Sequence, residues 1–498
     1  MKKFTLNTIS SLSNEIATIV MGFILPKFIL LYYGSDINGL VTSITQFLSF
    51  ISLCEMGIGP VIKSNLYKPL AEKDIYSISC VIKSAQAFFR KIAAILVLYT
   101  LILCLIYPTL VSNRFDFVFT ATMVLIISIS SFAQYYFGIT FQLLLAANQQ
   151  AYIQLFINCI VIVLNTVSSV VLMKMGSPIH VVKLTTSLLF AARPVCLALF
   201  VHSHFKLDRE VQYTSEPIKQ KWNGFAQHVA TIVQDNTDTV VLTLFSTLSN
   251  VSIYGVYQLV INGIRQLVNT VFTGMSSMIG ELIAKEDEKK LNNIFSIFEW
   301  AIHSAATVLF SITGVLLLPF IRLYTSGITD ANYMVPFFGS LITVCGALRC
   351  IQMIYNIVIQ GAGHFKETQT ASFIEPVINI VISILFVWKL GLIGVTIGTV
   401  ISLFYRLVYM VCYLKKHILY RRISIVIKQL CIDILSAGLI VFVALFLPRY
   451  ANDYIEWTIN AIIVSIVALA IFSVVNLVFY RSYFTKLINR FFKYIKSL

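Results

Sequence analysis

Long runs of apolar residues restrict the fold of this chain more than any other feature of its sequence. Residues 440–447 and 462–475 are examples, and in neither do polar residues recur at a regular interval. Charged residues make up only 12% of the 498, about half of the roughly 25% found in soluble domains. Mostly apolar runs of about 20 residues are typical of transmembrane helices. We therefore predict an all-α polytopic membrane protein.

The apolar runs predict about 14 transmembrane helices. The outer loops between them are short, and the largest cytoplasmic loop is predicted at about 63–90. An even number of spans places both termini on the same side of the membrane. The predicted spans are 6–33, 38–62, 91–113, 117–146, 151–175, 181–204, 222–247, 250–284, 293–322, 333–362, 365–389, 391–414, 424–448 and 455–480.

The distribution of positive charge predicts the orientation of these spans. Of the 37 Lys and Arg residues, 26 lie in segments on the side of the N-terminus and four on the opposite side, at Arg114, Arg322, Lys389 and Arg449. Cytoplasmic loops are enriched in Lys and Arg, so both termini are predicted to be cytoplasmic. The net charge of +15 is then explained by topology and by attraction to anionic lipid, without nucleic acid as a partner.

Weak internal matches indicate a duplicated six-helix unit. Residues 15–20 resemble 228–233 at an offset of 213, and 174–176 resemble 389–391 at an offset of 215. An even number of helices per copy gives both copies the same orientation, as in some secondary transporters. The predicted divisions are an N-terminal six-helix bundle at 1–205, a cytoplasmic linker at 206–221, a C-terminal six-helix bundle at 222–416, and two extra helices with a basic cytoplasmic tail at 417–498.

The helix count, the repeat and several short motifs resemble the superfamily of multidrug, oligosaccharidyl-lipid and polysaccharide exporters. The most similar branch is the polysaccharide transporter family, of the O-antigen-unit flippase type. The resemblance implies a bacterial inner-membrane protein that moves a polyprenyl-pyrophosphate-linked oligosaccharide outward for surface polysaccharide assembly. It also implies membrane lipid, a polysaccharide polymerase and assembly proteins as partners. The motifs lie at Tyr33–Leu40, Leu53–Gly59, Leu66–Asp74, Asn236–Val240, Tyr254–Tyr257 and Ile279–Ala284.

Basic residues inside the predicted spans are candidates for substrate binding. A charged side chain at a helix centre costs about 2.5–3.5 kcal/mol on insertion scales, so such residues usually face a cavity or a partner. Arginine donates paired hydrogen bonds to phosphate oxygens, which suits a pyrophosphate. Structural pairing with a nearby carboxylate is the alternative for each of them. The candidates are Lys27, Arg193, Arg265, Arg349 and Arg406.

Carboxylates inside the spans are candidates for coupling transport to a Na⁺ or H⁺ gradient. A carboxylate can take up a cation or a proton in one conformation and release it in another. Asp235 and Asp238 are three residues apart on a predicted helix, and Glu15 and Glu55 lie on the first two predicted helices. No other cofactor is expected. His303 is expected to be a packed polar contact rather than part of a proton pathway.

The sequence leaves three alternatives to a flippase. An ion-coupled multidrug extruder of the same superfamily is one, although such proteins usually have 12 helices. A membrane polysaccharide polymerase is another, disfavoured because no predicted loop is large enough to hold a catalytic domain. A non-transporting assembly scaffold is the third, but it would not need arginines in four spans. No sequence motif of a hydrolase, zinc peptidase or P-loop is present, so the chain is not expected to be an enzyme.

Overall fold

The computed structural model describes residues 2–55, 57–208, 211–212, 218, 225–272, 275–285, 288–447 and 451–485. Helices account for nearly all of these residues, and the described part of the chain contains no β-strand. This confirms the prediction of an all-α polytopic fold. The chain divides into an N-terminal unit, residues 1–252, and a C-terminal unit, residues 253–498.

The described residues of the N-terminal unit form eight α-helices and the start of a ninth. A short 3₁₀ turn, Phe50–Glu55, follows the first helix, and a π-helical turn, Gln134–Gly138, lies between the fourth and fifth. The helices are α1 (Lys2–Ser49), α2 (Ile58–Glu72), α3 (Ile75–Leu110), α4 (Phe117–Ala133), α5 (Ile139–Ala147), α6 (Ala151–Lys174), α7 (Ile179–His204) and α8 (Phe225–Phe245).

The C-terminal unit continues from α9 (Leu248–Phe272), which begins before the boundary between the units. Its last two helices correspond to the two predicted to follow the repeat. The helices are α10 (Met275–Ala284), α11 (Glu288–Tyr324), α12 (Pro336–Gly361), α13 (Gln369–Leu390), α14 (Leu392–His417), α15 (Ile423–Ala444) and α16 (Tyr454–Phe479).

Helix α1 is interrupted at Gly34, between the first two predicted spans. Gly34 has φ 82° and ψ 177°, a conformation that glycine tolerates and other residues rarely adopt. Before it, α1 runs parallel to α6, since Asn7 contacts Gln149 and Tyr33 contacts Ser177. After it, Phe47 accepts a hydrogen bond from Tyr99 of α3, and Asp36 faces Arg114 just beyond the end of α3. Gly34 therefore reverses the chain without a loop.

The segment 63–90, expected to be a cytoplasmic loop, is helical instead. It forms most of α2 and the first part of α3, which are joined at Lys73 and Asp74. Asp74 caps α3 by accepting a hydrogen bond from the Ser77 amide at 3.0 Å. Hydrogen bonds from the Ser77 side chain and backbone lower the pKa of Asp74. The sequence reasoning relied on apolar runs alone and missed this cap, which starts a helix among charged residues.

Eleven helical stretches in the described part of the chain are long and apolar enough to span a bilayer, so the protein is a multi-pass membrane protein. One of them, Thr5–Glu55, contains the first two predicted spans. Helices α8 and α9 are not among the eleven, although each falls in a predicted span. They carry Asp235, Asp238 and Arg265. The total of 14 stays a prediction, as do the repeat and the boundaries of its two bundles.

The predicted linker and tail can be followed only in part. Most of 206–221 and the end of the basic tail, 486–498, lie outside the described residues. Within the C-terminal unit, α13 and α14 are packed closely through small residues, as is common between membrane helices. Gly398 approaches α13 so closely that a Cβ there would lie 2.4 Å from Ser383 Oγ.

Candidate functional site

A cavity of about 630 Å³ opens within the N-terminal unit. Its volume is within the range of about 300–1,000 Å³ that is usual for ligand pockets. Two residues predicted from the sequence to be functional, Glu55 and Arg193, line it. The other polar side chains of its wall are Thr45, Ser49, Ser52, Ser130, Ser131, Gln134, Tyr135 and Gln142. The cavity therefore combines one cation and one carboxylate with neutral hydrogen-bonding groups.

Arg193 is held in the cavity wall by neutral side chains. Its Nη1 donates to Asn158 Oδ1 at 2.5 Å and its Nη2 to Gln134 Oε1 at 3.3 Å. The guanidinium carbon lies 5.4 Å from the centre of the Phe190 ring. Its Nε is buried and has no hydrogen-bond partner in the described part of the chain. An unpaired buried donor is costly, so these protein contacts do not satisfy all the hydrogen-bonding groups of the guanidinium.

A second hydrogen bond orients Arg193 indirectly. Asn158 of α6 donates to Asn14 Oδ1 of α1 at 2.6 Å, so its own oxygen is left facing the guanidinium. The arginine on α7 is thus connected through α6 to the first span. A movement of α1 or α6 would change the direction in which the guanidinium points.

Glu55 is fixed on the same cavity by a tyrosine. It is the last residue of the 3₁₀ turn Phe50–Glu55, and its Oε1 accepts a hydrogen bond from the Tyr135 hydroxyl at 2.5 Å. Tyr135 is only 7% exposed. The carboxylate keeps a second oxygen, so it retains the capacity to bind a proton or a cation.

The π-helical turn Gln134–Gly138 supplies the partners of both charged residues. Gln134 contacts Arg193, and Tyr135 contacts Glu55. A π turn accommodates an extra residue in a helix and is frequent at functional sites. Gly138 allows this turn to approach α7, since a Cβ there would lie 2.8 Å from the Cβ of Pro194. The proline follows Arg193 directly.

The other predicted basic residues lie elsewhere. In the C-terminal unit, Arg406 Nε is 3.7 Å from Glu375 Oε2, and both side chains are largely buried. This is the structural pairing that the sequence left open. Arg265 lies near Cys350 of the same unit. Lys27 and Arg349 also interact with neighbouring groups. Their roles as substrate ligands stay predictions.

The remaining predicted carboxylates do not line this cavity. On α8, Asp235 is exposed whereas Asp238 is 3% exposed, so the two differ in environment although they are three residues apart. Glu15 has one buried oxygen, Oε1, without a hydrogen-bond partner in the described part of the chain. No hydrogen bond joins Glu15 to Glu55 among the described residues. A coupling role for these groups stays a prediction.

Sequence reasoning missed the neutral residues of the site. Gln134, Tyr135 and Gln142 are polar positions within a predicted span, 117–146, and that was the available signal. Asn14 and Asn158 were equally visible as amides inside apolar runs. Their relation to Arg193 depends on which helices are neighbours, and the sequence pattern does not give that.

Comparison with solved structures shows which proteins share this fold. A lipid II flippase, MurJ, in an inward closed conformation has a TM-score of 0.74 and 15% identity, over 95% of this chain and 99% of that one. An inward-facing multidrug resistance MATE family transporter of the MOP superfamily has a TM-score of 0.61 and 14% identity, over 82% of this chain and 99% of that one. The Vibrio cholerae MATE transporter VcmN in the bent form has a TM-score of 0.53 and 14% identity, over 84% of this chain and 98% of that one. Neither a family model nor a curated protein matches the sequence.

Proposed function

We propose that this chain, which has the fold of MOP-superfamily flippases and transporters, moves a polyprenyl-pyrophosphate-linked oligosaccharide across a membrane. The direction is from the cytoplasmic to the outer leaflet of a bacterial inner membrane, by alternating access, for surface polysaccharide assembly. Both termini are then cytoplasmic. A polysaccharide polymerase and assembly proteins would act on the product.

The observation that carries this proposal is that the described contacts of Arg193 leave its positive charge without a carboxylate partner. Its hydrogen bonds go to the amide oxygens of Asn158 and Gln134, and it forms no ion pair in the described part of the chain. Its positive charge is therefore available to an anionic ligand in a cavity of about 630 Å³. A pyrophosphate offers several acceptor oxygens to a guanidinium. The polyprenyl tail would stay in the bilayer while the anionic group is bound.

Glu55 is the proposed coupling group of this site, ahead of Glu15, Asp235 and Asp238. It shares the cavity wall with Arg193. Proton or Na⁺ binding at Glu55 would change the net charge of the cavity and hence its affinity for an anion. Because a bound cation makes the cavity more positive, it would raise the affinity for the anionic substrate, and the substrate would raise the affinity for the cation by the same factor.

A multidrug extruder is the second candidate, because MATE transporters share the fold. The same cavity would then receive organic cations. In that case Glu55, rather than Arg193, would attract the substrate. A polymerase or a scaffold gains no support from the proteins of similar fold, which are named as flippases and transporters.

Reconstitution in lipid vesicles tests the proposal. A labelled polyprenyl-pyrophosphate oligosaccharide is incorporated, and its exposure to a membrane-impermeant sugar-modifying reagent is followed with and without a pH or Na⁺ gradient. We expect faster exposure than in protein-free vesicles, and we expect Glu55→Gln to remove the dependence on the gradient. Glu72→Gln is the matched control, because Glu72 is an exposed residue of α2. Transport of cationic dyes without sugar-lipid exposure would instead establish the extruder.

A further inference from the structure

The C-terminal unit contains a continuous chain of hydrogen-bonded side chains that the proposed transport site does not use. Asp433 Oδ2 lies 2.6 Å from His303 Nδ1, and His303 Nε2 lies 3.1 Å from the Tyr355 hydroxyl. Tyr355 donates to Glu299 Oε1 at 2.9 Å, and Arg421 Nη1 donates to Glu299 Oε2 at 2.8 Å. We call these five residues the relay. Its three central side chains are at most 3% exposed.

The number of hydrogens in the relay is fixed by its geometry. Three hydrogen bonds join Asp433, His303, Tyr355 and Glu299 in sequence, and each needs one hydrogen. The tyrosine hydroxyl supplies one and a neutral imidazole supplies another. Ionised carboxylates supply none. With a neutral tyrosine, a neutral imidazole and two ionised carboxylates, only two hydrogens are present for three hydrogen bonds. The relay therefore needs one additional proton.

The position of this additional proton follows from the charges around it. Glu299 is already compensated by Arg421, whose guanidinium carbon also lies 5.0 Å from the Phe295 ring centre. Among the described residues no such cation pairs with Asp433, and its second oxygen accepts a hydrogen bond from the Gln429 amide at 3.2 Å. The proton is therefore expected between Asp433 and His303, as a carboxylate and an imidazolium. The relay is then neutral overall, which is the favoured state for a buried cluster.

The surrounding ionisable groups do not remove the need for this proton. On α10, Glu281 pairs with Lys285 at exposed positions. Near the relay, Lys428 Nζ lies 5.8 Å from the Tyr480 ring centre, and the Tyr483 ring stacks on Trp300. The ionisable groups facing the relay are Glu299 and His303 of α11, Tyr355 of α12, Lys415 of α14, Arg421 and Arg422 before α15, Lys428 and Asp433 of α15, and Tyr480 and Tyr483 at the end of α16.

A small cavity connects the relay to the surface. It has a volume of about 20 Å³, and its lining includes Glu299 and Tyr355 of the relay as well as the exposed residues Lys415 and Arg422. A water molecule needs about 10–15 Å³ by this measure. One water therefore fits between the buried carboxylate and the surface, at the end of the unit predicted to be cytoplasmic.

We propose that the relay is a proton-binding site that exchanges one proton through this cavity. A proton from water adds to Glu299, which then donates it to the Tyr355 oxygen. The original hydroxyl hydrogen of Tyr355 passes to His303 Nε2, while Nδ1–H stays hydrogen-bonded to Asp433. The product is an imidazolium between two carboxylates, and the reverse sequence releases the proton. The inference holds whichever substrate the protein transports.

Asp433→Asn tests the proposal with little change in shape. The asparagine oxygen can still accept from Gln429, and its amide nitrogen can donate to His303 Nδ1, so every hydrogen bond is kept without the additional proton. Full-length protein with ¹⁵N-labelled histidine rings is studied by NMR in lipid nanodiscs at neutral pH. We expect His303 to be doubly protonated in the wild type and singly protonated in the variant. A singly protonated His303 in the wild type would overturn the proposal.

Two further variants separate proton binding from a purely structural role. Trp300→Phe removes the buried hydrogen bond from Trp300 to Asn476 Oδ1, one turn before His303 on α11, and carries no titratable group. We expect it to lower stability and leave His303 doubly protonated. Tyr355→Phe interrupts the relay and keeps both charged pairs, so exchange of the His303 ring protons with water should slow by at least tenfold. Unchanged exchange in Tyr355→Phe would rule out the proposed pathway.

The NMR signal does not depend on transport. Failure of the flippase assay with doubly protonated His303 would reject the proposed substrate and keep the proton site. Normal sugar-lipid transport with a singly protonated His303 would support the proposed substrate and reject the proton site. Where both hold, the pH dependence of transport should differ between the wild type and Asp433→Asn and should not differ between the wild type and Trp300→Phe.

Discussion

Arg193 and Arg406 are 213 residues apart, the same offset as between the matching segments 15–20 and 228–233 of the predicted repeat, and they are in different electrostatic environments. Arg406 lies beside the carboxylate of Glu375, whereas Arg193 is bonded to the neutral oxygens of Asn158 and Gln134. A charge with a carboxylate partner is largely compensated before any ligand arrives. A charge held by amides is oriented and still available. We therefore expect the two residues to contribute unequally to substrate binding.

Replacement of Arg193 by glutamine should reduce transport of the pyrophosphate-linked substrate about tenfold to a hundredfold, because hydrogen bonds to charged groups contribute about 1.5–3 kcal/mol. The measurement is the initial rate of sugar-lipid exposure in vesicles at matched protein content. Arg114→Gln is the control, since Arg114 is 60% exposed and pairs with Asp36 away from the cavity. Equal rates for the two variants would remove Arg193 from the binding site.

At the scale of elements, irregular segments position the site. The 3₁₀ turn carries Glu55, and the π turn carries Gln134 and Tyr135. Long apolar runs predicted most regular helices well: the span expected at 151–175 is the helix Ala151–Lys174. They could not predict the π turn, because residues 117–146 are predicted as one uninterrupted span. The turn directs Gln134 towards Arg193 of α7 and Tyr135 towards Glu55. This effect depends on which helices are neighbours.

A close approach between two helices gives a prediction at the scale of elements. A Cβ on Gly39 of α1 would lie 1.9 Å from the backbone oxygen of Leu248, and backbone atoms cannot rotate out of the way. Gly39→Ala should therefore destabilise the protein by about 1–3 kcal/mol, the usual cost of overpacking. Gly22→Ala, on the same helix with no neighbouring atom within 4 Å, should not. Thermal unfolding in detergent measures both, and equal midpoints would contradict the close approach.

At the scale of the whole molecule, the charge distribution and the polar helices carry different information. The asymmetry of Lys and Arg predicts orientation without any knowledge of packing. By contrast, α8 and α9 lie largely within predicted spans but are not among the eleven stretches of the described residues that are long and apolar enough to cross a membrane, and they carry charged residues such as Asp238 and Arg265. The relay could not be predicted from the sequence, because its residues come together only when the helices pack. His303 was visible in the sequence, but its partners lie 52 and 130 residues away.

Accessibility of introduced cysteines measures the predicted orientation. In a variant with its nine cysteines replaced by serine or alanine, Ser112→Cys should react with an impermeant maleimide in intact cells. Lys416→Cys should react only after the membrane is permeabilised. Both positions are exposed in the structure, so a lack of reaction reports sidedness rather than burial. The opposite pattern would place both termini outside.

The reversal of α1 at Gly34 also has a consequence for biosynthesis. The first two predicted spans leave the ribosome with a single non-helical residue between them, so no hydrophilic loop is available to be translocated as a separate step. The two segments must enter the bilayer together, as a hairpin whose tip is glycine. The orientation of both segments is therefore expected to be set in a single insertion step rather than in two.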